Sequence, residues 1–390
     1  MPRCVVLTRR RELVLVRTRE ETDEATCEPR LVVGVGASAG GLDAFKRLLT
    51  VLNDASTMAF VFVQHLDAEH ESRLVELLSR CSPMRVVRAE DGAALHSGVV
   101  HVIGPGTVAR VRSGRLEVER STRSHGPRTV IDDLFRSLSE DCSPRVAGVL
   151  LTGAGGDGAS GLRDLRAAGG LTIAQDPETA AQPGMPQSAI RVSAAELVLP
   201  IEAIPEALER FAALPSEAVE PVDAALLLDD RVARATRLSS RELDRLAEVL
   251  GARADFDVVQ YKAGTVERRV LRRMGLGGFE SLDDYLDQLR RDESERQALA
   301  RDLLIHVTRF FRDFEACEAL RKSVILPLVR DAAPGETLRV WVPGVSTGEE
   351  AYTIAMLMIE AMEEQGARVA LQVFATDPDE HDLTYSIVNG

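Results

Sequence analysis

Five short apolar runs punctuate the first half of the chain, separated by stretches with helical spacing. They are Leu31-Val32-Val33-Gly34-Val35, Met58 to Val63, Val99 to Ile103, Ala147 to Leu151 and Leu171 to Ala174. Each is almost continuously apolar rather than alternating, so both of its faces are covered. That predicts an α/β fold, a doubly wound and mostly parallel sheet between two helical layers. The texture changes near Ser239. Ser239 and Glu242 are spaced as a capping box, and the pattern from there to Arg312 is helical with few strand signals, a small all-α domain. Near Leu338 a βαβ pattern resumes, with strands at Leu338 to Val342 and Val369 to Thr376 around a helix from Thr347 to Glu364. The sequence then stops at Gly390. Two strands cannot bury a core, so this last unit reads as the truncated start of a Rossmann-like domain. The expected divisions are an irregular extension over 1–30, the α/β domain over 31–214, a linker over 215–238, a helical domain over 239–325 and the truncated unit over 326–390.

Composition narrows the classes. A net charge of -14 and an aromatic content of 4% disfavour a nucleic-acid binder, which needs basic excess and stacking rings. The cysteines (Cys4, Cys27, Cys81, Cys142, Cys317) are scattered and never in metal-type pairs, so no metal site is expected and a reducing cytoplasm fits. No apolar run approaches the roughly 20 residues that span a bilayer, so no membrane insertion is expected.

The chemistry sits at the ends of the apolar runs. Gly36-Ala37-Ser38-Ala39-Gly40 is a G-x-S-x-G turn that would expose the Ser38 hydroxyl at a helix N-terminus. The same stretch, from Gly34, also fits a G-x-G-x-x-A dinucleotide fingerprint, with Asp54 near the required distance. A nicotinamide-dependent oxidoreductase is therefore a competing reading, although Gln64-His65, not an acid, ends the second strand. His65 is a candidate general base beside an exposed serine and otherwise a strand cap. Asp157 opens a helix after a glycine-rich turn, where it can cap that helix, orient a histidine, or do both. Gly153, Gly155, Gly156 and Gly158 would offer N–H groups to an oxyanion. The order Ser, His, Asp differs from the Ser, Asp, His order of α/β-hydrolases. In the last unit, Gly344-Val345-Ser346-Thr347-Gly348 links strand to helix where a nucleotide-like ligand can approach the backbone. Glu350 can complete a capping box with Thr347, and Asp377 ends the following strand, placed to accept from ribose hydroxyls.

Together with Ala174-Gln175-Asp176 and Pro183-Gly184-Met185-Pro186, the first three segments resemble the catalytic domain of the chemotaxis protein-glutamate methylesterases (CheB), over about Leu31 to Leu214. The resemblance implies a serine esterase without a cofactor that hydrolyses γ-glutamyl methyl esters on chemoreceptors and can also deamidate glutamine. By it, Ser38 is the nucleophile, His65 the base and Asp157 its orienting partner, with Gly184-Met185-Pro186 shaping the crevice. Ala154 stands where the family often has methionine; the donor there would be a backbone N–H, so activity is expected to survive. The usual family member has a receiver domain ahead of this one, and thirty residues are too few for it, so phosphate control is expected to be absent or to arrive otherwise.

Thr308-Arg309-Phe310-Phe311-Arg312-Asp313, with Glu350 and Asp377, resembles the chemotaxis receptor methyltransferases (CheR), which use S-adenosylmethionine. The resemblance implies that Thr308, Arg312, Glu350 and Asp377 contact that cofactor; His306 stands where asparagine is common. Lys262, Arg268, Arg269, Arg272 and Arg273 form a basic helix face opposite Val266, Val270 and Met274. Such a face is ordinarily solvated; by resemblance it would meet an acidic helix of a methyl-accepting chemoreceptor. The whole reads as a cytoplasmic esterase fused to an incomplete methyltransferase, with a non-catalytic signalling scaffold as the alternative.

Overall fold

The computed structural model describes residues 29–52, 57–64, 73–120, 129–141, 145–219, 238–251, 263–303, 310–311, 314–345 and 348–377. The first domain runs β1 (Leu31–Ala37), α1 (Gly41–Val51), β2 (Met58–Gln64), α2 (Leu74–Ser79), β3 (Arg85–Arg88), β4 (Val99–Val102), β5 (Thr107–Arg112) and β6 (Arg115–Arg120). It continues through α3 (Val130–Asp141), β7 (Val146–Leu150), α4 (Ala159–Ala167), β8 (Leu171–Gln175), α5 (Gly184–Arg191), β9 (Leu197–Leu199), α6 (Ile204–Ala213) and α7 (Ser216–Val219).

Seven strands form one sheet in the order β3-β4-β2-β1-β7-β8-β9, and every pairing is parallel. Side chains alternate between two cores. Val33, Val35, Phe60 and Phe62 meet Phe45, Leu48 and Leu208 of α1 and α6 on one face. Val32, Val61 and Val63 meet Ile131, Phe135, Leu162 and Met185 of α3, α4 and α5 on the other. This is the doubly wound arrangement that continuous apolarity implied.

The strands that the apolar runs do not announce are β3, β9 and the antiparallel β5–β6 hairpin. β3 and β9 are short edge strands, as sheets favour where pairing must stop. The hairpin alternates Val108, Arg110 and Arg112 with buried Ala109 and Val111, so only one face is apolar. It turns at Ser113 (φ 51°) and Gly114 (φ 68°), both left-handed.

The helical domain comprises α8 (Ser240–Gly251), α9 (Ala263–Gly277), α10 (Leu282–Arg291) and α11 (Glu293–Leu303) around Leu246, Val266, Val270, Tyr285, Leu289 and Leu299. The expected capping box is present: Ser239 N–H donates to Glu242 Oε2 at 2.6 Å, with the longer return bond from Glu242 N–H at 3.4 Å. The domain is docked on the sheet. Leu276 of α9 belongs to the core that holds Phe45 and Phe211, and Ala218 and Val219 of α7 are buried there too. A Cβ on Gly275 would lie 2.1 Å from Leu214 Cδ2, so the backbones approach closely.

That docking corrects the expectation for the basic row of α9. Arg272 and Arg273 are only 3% and 8% exposed, bound by Glu196, Glu295 and Asp302, and therefore form neither a solvated face nor an open receptor-facing one. Lys262 lies outside the described residues.

The chain continues through α12 (Phe314–Leu320), a π-helical turn (Arg321–Ile325), α13 (Leu326–Asp331), β10 (Thr337–Pro343), α14 (Glu349–Gln365) and β11 (Ala370–Thr376). β10 and β11 pair in parallel, and one face packs Leu338 and Leu371 against Met358 and Ala361 of α14. Trp341 and Phe374 point the other way and are 67% and 47% exposed. No helix among the described residues is long and apolar enough to cross a membrane.

Candidate active site

β1 lies at the centre of the sheet with β2 and β7 on either side, and Ala37 is in register with Gln64. The chain leaves β1 through a turn at Ser38 and enters α1 after Gly40, which has φ 81°. A Cβ there would stand 3.0 Å from Ala181 Cβ and 3.2 Å from Thr152 Oγ1, so both conformation and space require glycine. Ser38 N–H donates to Thr152 O at 3.0 Å, and Ser38 O accepts from Gly41 N–H at 2.9 Å and Gln64 Nε2 at 3.1 Å. Gly153 lies against the serine: a Cβ on it would be 2.9 Å from Ser38 Cβ and 2.0 Å from Met185 Sδ. Met185, from the Pro183–Pro186 segment, is fully buried on that turn.

The competing dinucleotide reading fails on the same turn. A Cβ on Gly34 would meet Leu138 Cδ1 at 2.7 Å, and one on Gly36 would meet Ile131 Cγ2 at 2.4 Å. These glycines let α3 pack on the sheet and leave no backbone for a pyrophosphate to approach. Asp54 lies outside the described residues.

The glycine-rich turn after β7 divides its N–H groups. Gly153 N–H donates to Gln182 O at 2.9 Å, and Gly158 N–H to the Asp132 carboxylate. Ala154, Gly155 and Gly156 are exposed, and their N–H groups meet no acceptor among the described residues. Two of the four glycines expected to face an oxyanion are thus committed elsewhere, and Ala154 joins the donor set.

Asp157 also differs from its local reading. α4 starts after Gly158 (φ 91°) with no side-chain cap. The Asp157 carboxylate instead crosses to the first turn of α3, where Oδ2 accepts from Ile131 N–H at 3.0 Å and Oδ1 from Asp132 N–H at 3.1 Å. A carboxylate placed at a helix N-terminus satisfies N–H groups that have no partner within the helix. Asp132, beside it, carries the strain. Burial pushes its carboxyl up to about 6; the Gly161 N–H at 2.7 Å pulls it down, and the neighbouring Asp157 pushes it up again.

Ser38 and Asp157 therefore stand on turns that follow adjacent strands, β1 and β7. His65 follows β2 on the other flank of β1 and lies outside the described residues. Thr152, Gln64 and Asp132 escape a reading of motifs, because each acts through contacts more than 20 residues away in sequence.

In the last unit, the turn after β10 uses Gly344 (φ 70°) and Gly348 (φ 99°). Gly344 and Val345 N–H groups both reach Thr376 O, at 2.7 and 3.3 Å, which ties this turn to the residue before Asp377. No atom of the described residues lies within 4 Å of where a Gly344 Cβ would sit. α14 begins at Glu349 with Gly348 as N-cap and no side-chain cap; Thr347, the other half of the expected capping box, lies outside the described residues. Glu350 is exposed and Asp377 half-buried. A glycine turn, a helix N-terminus and a carboxylate at the ends of two parallel strands fit a nucleoside ligand. Thr308 and Arg312 lie outside the described residues.

Comparison with known proteins finds family matches along most of the chain. The description CheB methylesterase matches residues 33–208, CheR methyltransferase, all-alpha domain matches 241–304, and CheR methyltransferase, SAM binding domain matches 306–386. A putative protein-glutamate methylesterase/protein-glutamine glutaminase of Leptospira interrogans is 34% identical over 178 residues, 45% of this chain and 92% of that one. An uncharacterized 104.1 kDa protein of Rhodobacter capsulatus is 38% identical over 78% of this chain and 33% of its own length. The solved catalytic domain of Thermotoga maritima CheB methylesterase is 30% identical, with a TM-score of 0.43, over 46% of this chain and 96% of that one. The chain belongs to the protein-glutamate methylesterase family and carries CheR-type all-alpha and S-adenosylmethionine-binding domains on the same polypeptide. It spans 33%, 55% and 47% of the length of the first curated relatives it matches.

Proposed function

We propose that this chain hydrolyses γ-glutamyl methyl esters on methyl-accepting chemoreceptor helices in the cytoplasm, with Ser38, His65 and Asp157 as its catalytic residues and no cofactor. The observation that carries the reading is the Ser38 turn, its N–H tied to Thr152 O and its carbonyl to Gly41 and Gln64, beside a glycine turn whose Ala154, Gly155 and Gly156 N–H groups meet no acceptor among the described residues. Ser38 Oγ attacks the ester carbonyl and passes its proton to His65. N–H groups of Ala154, Gly155 and Gly156 bind the oxyanion. Methanol leaves with the proton from His65, and water, deprotonated by His65, then releases the γ-carboxylate and restores Ser38. Asp157 holds the imidazole while its carboxylate is fixed by α3. A glutamine side chain has the same acyl shape, so the site also suits deamidation, the second activity in the names of several relatives.

For the remainder, Thr308, Arg312, Glu350 and Asp377 are proposed to hold S-adenosylmethionine, whose sulfonium supplies a methyl group when bound. Glu350 and Asp377 would accept from its hydroxyl and amino groups. The unit boundaries at 31–214, 239–325 and 326–390 belong to the same proposal. The deciding experiment is methanol release from a methyl-esterified receptor fragment by wild type, Ser38→Ala and His65→Ala. Release abolished by both substitutions supports the esterase. A well-folded wild type that releases none favours the scaffold reading.

A further inference from the structure

We infer that Thr152 is a positioning residue for the Ser38 nucleophile, assisted from the opposite side by Gln64; this rests on the proposed esterase role of Ser38. Thr152 is 1% exposed and has every polar atom engaged. Its N–H donates to Gln175 Oε1 at 2.9 Å, and its carbonyl accepts from Ser38 N–H at 3.0 Å. Its hydroxyl accepts from Gln182 N–H at 2.8 Å and stands 3.1 Å from Ala39 O and 3.2 Å from Gln182 O, acceptors for its one proton. Gln175 is buried in turn, with Nε2 donating to Thr179 O at 3.1 Å.

Three chain segments thus meet on one hydroxyl: the nucleophile turn at Ala39, the oxyanion turn that starts at Gly153, and the connection from β8 that delivers Met185. Gln64 closes the far side through Nε2 on Ser38 O. The Thr152 hydroxyl has no group left for substrate in these contacts, so it acts through the turn that carries Ser38; Gln64 reaches the same residue through Nε2. A serine Oγ has one rotatable bond, and its distance from base and oxyanion donors is otherwise fixed by its backbone. Valine matches threonine in shape but cannot accept from Gln182 N–H or donate to Ala39 O, and unmet buried groups make a turn shift or open. A displacement near 1 Å at a reacting group costs roughly 100-fold in rate.

The test follows Thr152→Val, Thr152→Ser and Gln64→Met in the full chain, with wild type. Two readouts are used: methanol release, and the rate at which a fluorophosphonate labels Ser38, which needs no receptor. Thr152→Val is expected to lose about 10- to 100-fold in both kcat and labelling rate, with KM and the midpoint of the pH profile unchanged. Thr152→Ser, which keeps the hydroxyl, should stay within about threefold of wild type, and Gln64→Met should lose about tenfold. A folded Thr152→Val that labels at the wild-type rate overturns the inference, as does a shift in KM or pH midpoint without loss of kcat. If Thr152→Val does not fold, Gln64→Met and Thr152→Ser decide: slowed labelling in the first and normal labelling in the second support the role, and any other pair of results overturns it. A folded wild type that fluorophosphonate does not label at all refutes the esterase reading itself, and the positioning role falls with it.

Discussion

Arg272 leaves the helical domain and closes a two-pronged ion pair on Glu196, with guanidinium nitrogens 2.6 and 2.8 Å from the carboxylate oxygens. Both side chains are 3% exposed. The remaining donors of Arg272 reach Gly169 O and Gly170 O at 2.8 and 3.0 Å, and the guanidinium lies 5.0 Å above the Phe211 ring. Around this pair, Asp302 binds Arg166 at 2.8 Å and Arg273 at 2.9 Å, while Arg273 also grips Glu295 at 2.6 Å. Burial favours a neutral Asp302, but Arg166 and Arg273 outweigh it and hold the carboxyl below its usual range.

Removing one partner of such a pair strands a buried charge, whereas removing both does not. Arg272→Ala is expected to cost about 3–5 kcal/mol in urea unfolding. Arg272→Met combined with Glu196→Leu should recover most of that loss. Additive effects of the two substitutions would contradict a direct pairing.

Gly153→Ala should keep the fold and lose the proposed esterase activity. The new methyl group would sit 2.9 Å from Ser38 Cβ, which the backbone fixes, and 2.0 Å from Met185 Sδ, which can move only by leaving a buried site. Overpacking of this kind costs about 1–3 kcal/mol. Fluorophosphonate labelling set beside a thermal melt separates the two effects, and labelling at the wild-type rate would show that Gly153 does not border the nucleophile.

Asp132 has its carboxyl raised from an ordinary value of 3.8 to about 6. A raised carboxyl favours the folded state only while protonated, so its contribution is present in acid and is lost as pH rises through about 6. Asp132→Asn keeps an oxygen for Gly161 N–H and gives Asp157 a donor. The variant should gain stability over wild type between pH 4 and 7, by less than about 2 kcal/mol because the site is half-buried. Melting curves that shift in parallel across this range would contradict the assignment.

His101 sits on β4 in register with Val61 and Val87, and neither of its ring nitrogens has a hydrogen-bond partner among the described residues. Burial lowers it from 6.5 to about 4, and His96 and Arg85 add to the effect. The folded protein keeps it neutral while the unfolded chain takes up a proton, so stability falls as pH drops from 6.5 towards 4. His101→Leu should remove that slope, a gain on the order of 2–3 kcal/mol at pH 4. An unchanged acid limb in the variant would assign the sensitivity to other groups.

The central sheet was legible because strands covered on both faces are apolar at every position, and Leu31 to Val35 and Met58 to Val63 need no context to be read. β3 and β9 were not, since an edge strand of three or four residues carries no period. The Ser38 turn was legible as a local feature, with its small residues and its place after a strand. What Asp157 binds was not, because Ile131 and Asp132 come from another helix. The arginine row of α9 misled for the same reason: Glu196 lies 76 positions away, and nothing local separates a salt-bridged surface from a wet one.

Leu276 and Gly275 have a practical consequence. The α/β unit and the helical domain meet along a fitted apolar seam with Leu214, Ala218 and Val219, locked at its rim by Arg272. The fusion is therefore a joint and not a tether. A gene fragment that ends after α6 would translate into an α/β unit with an open apolar strip and an unpaired Glu196, prone to self-association. Grafting a free-standing relative into this position would require recutting that strip residue by residue.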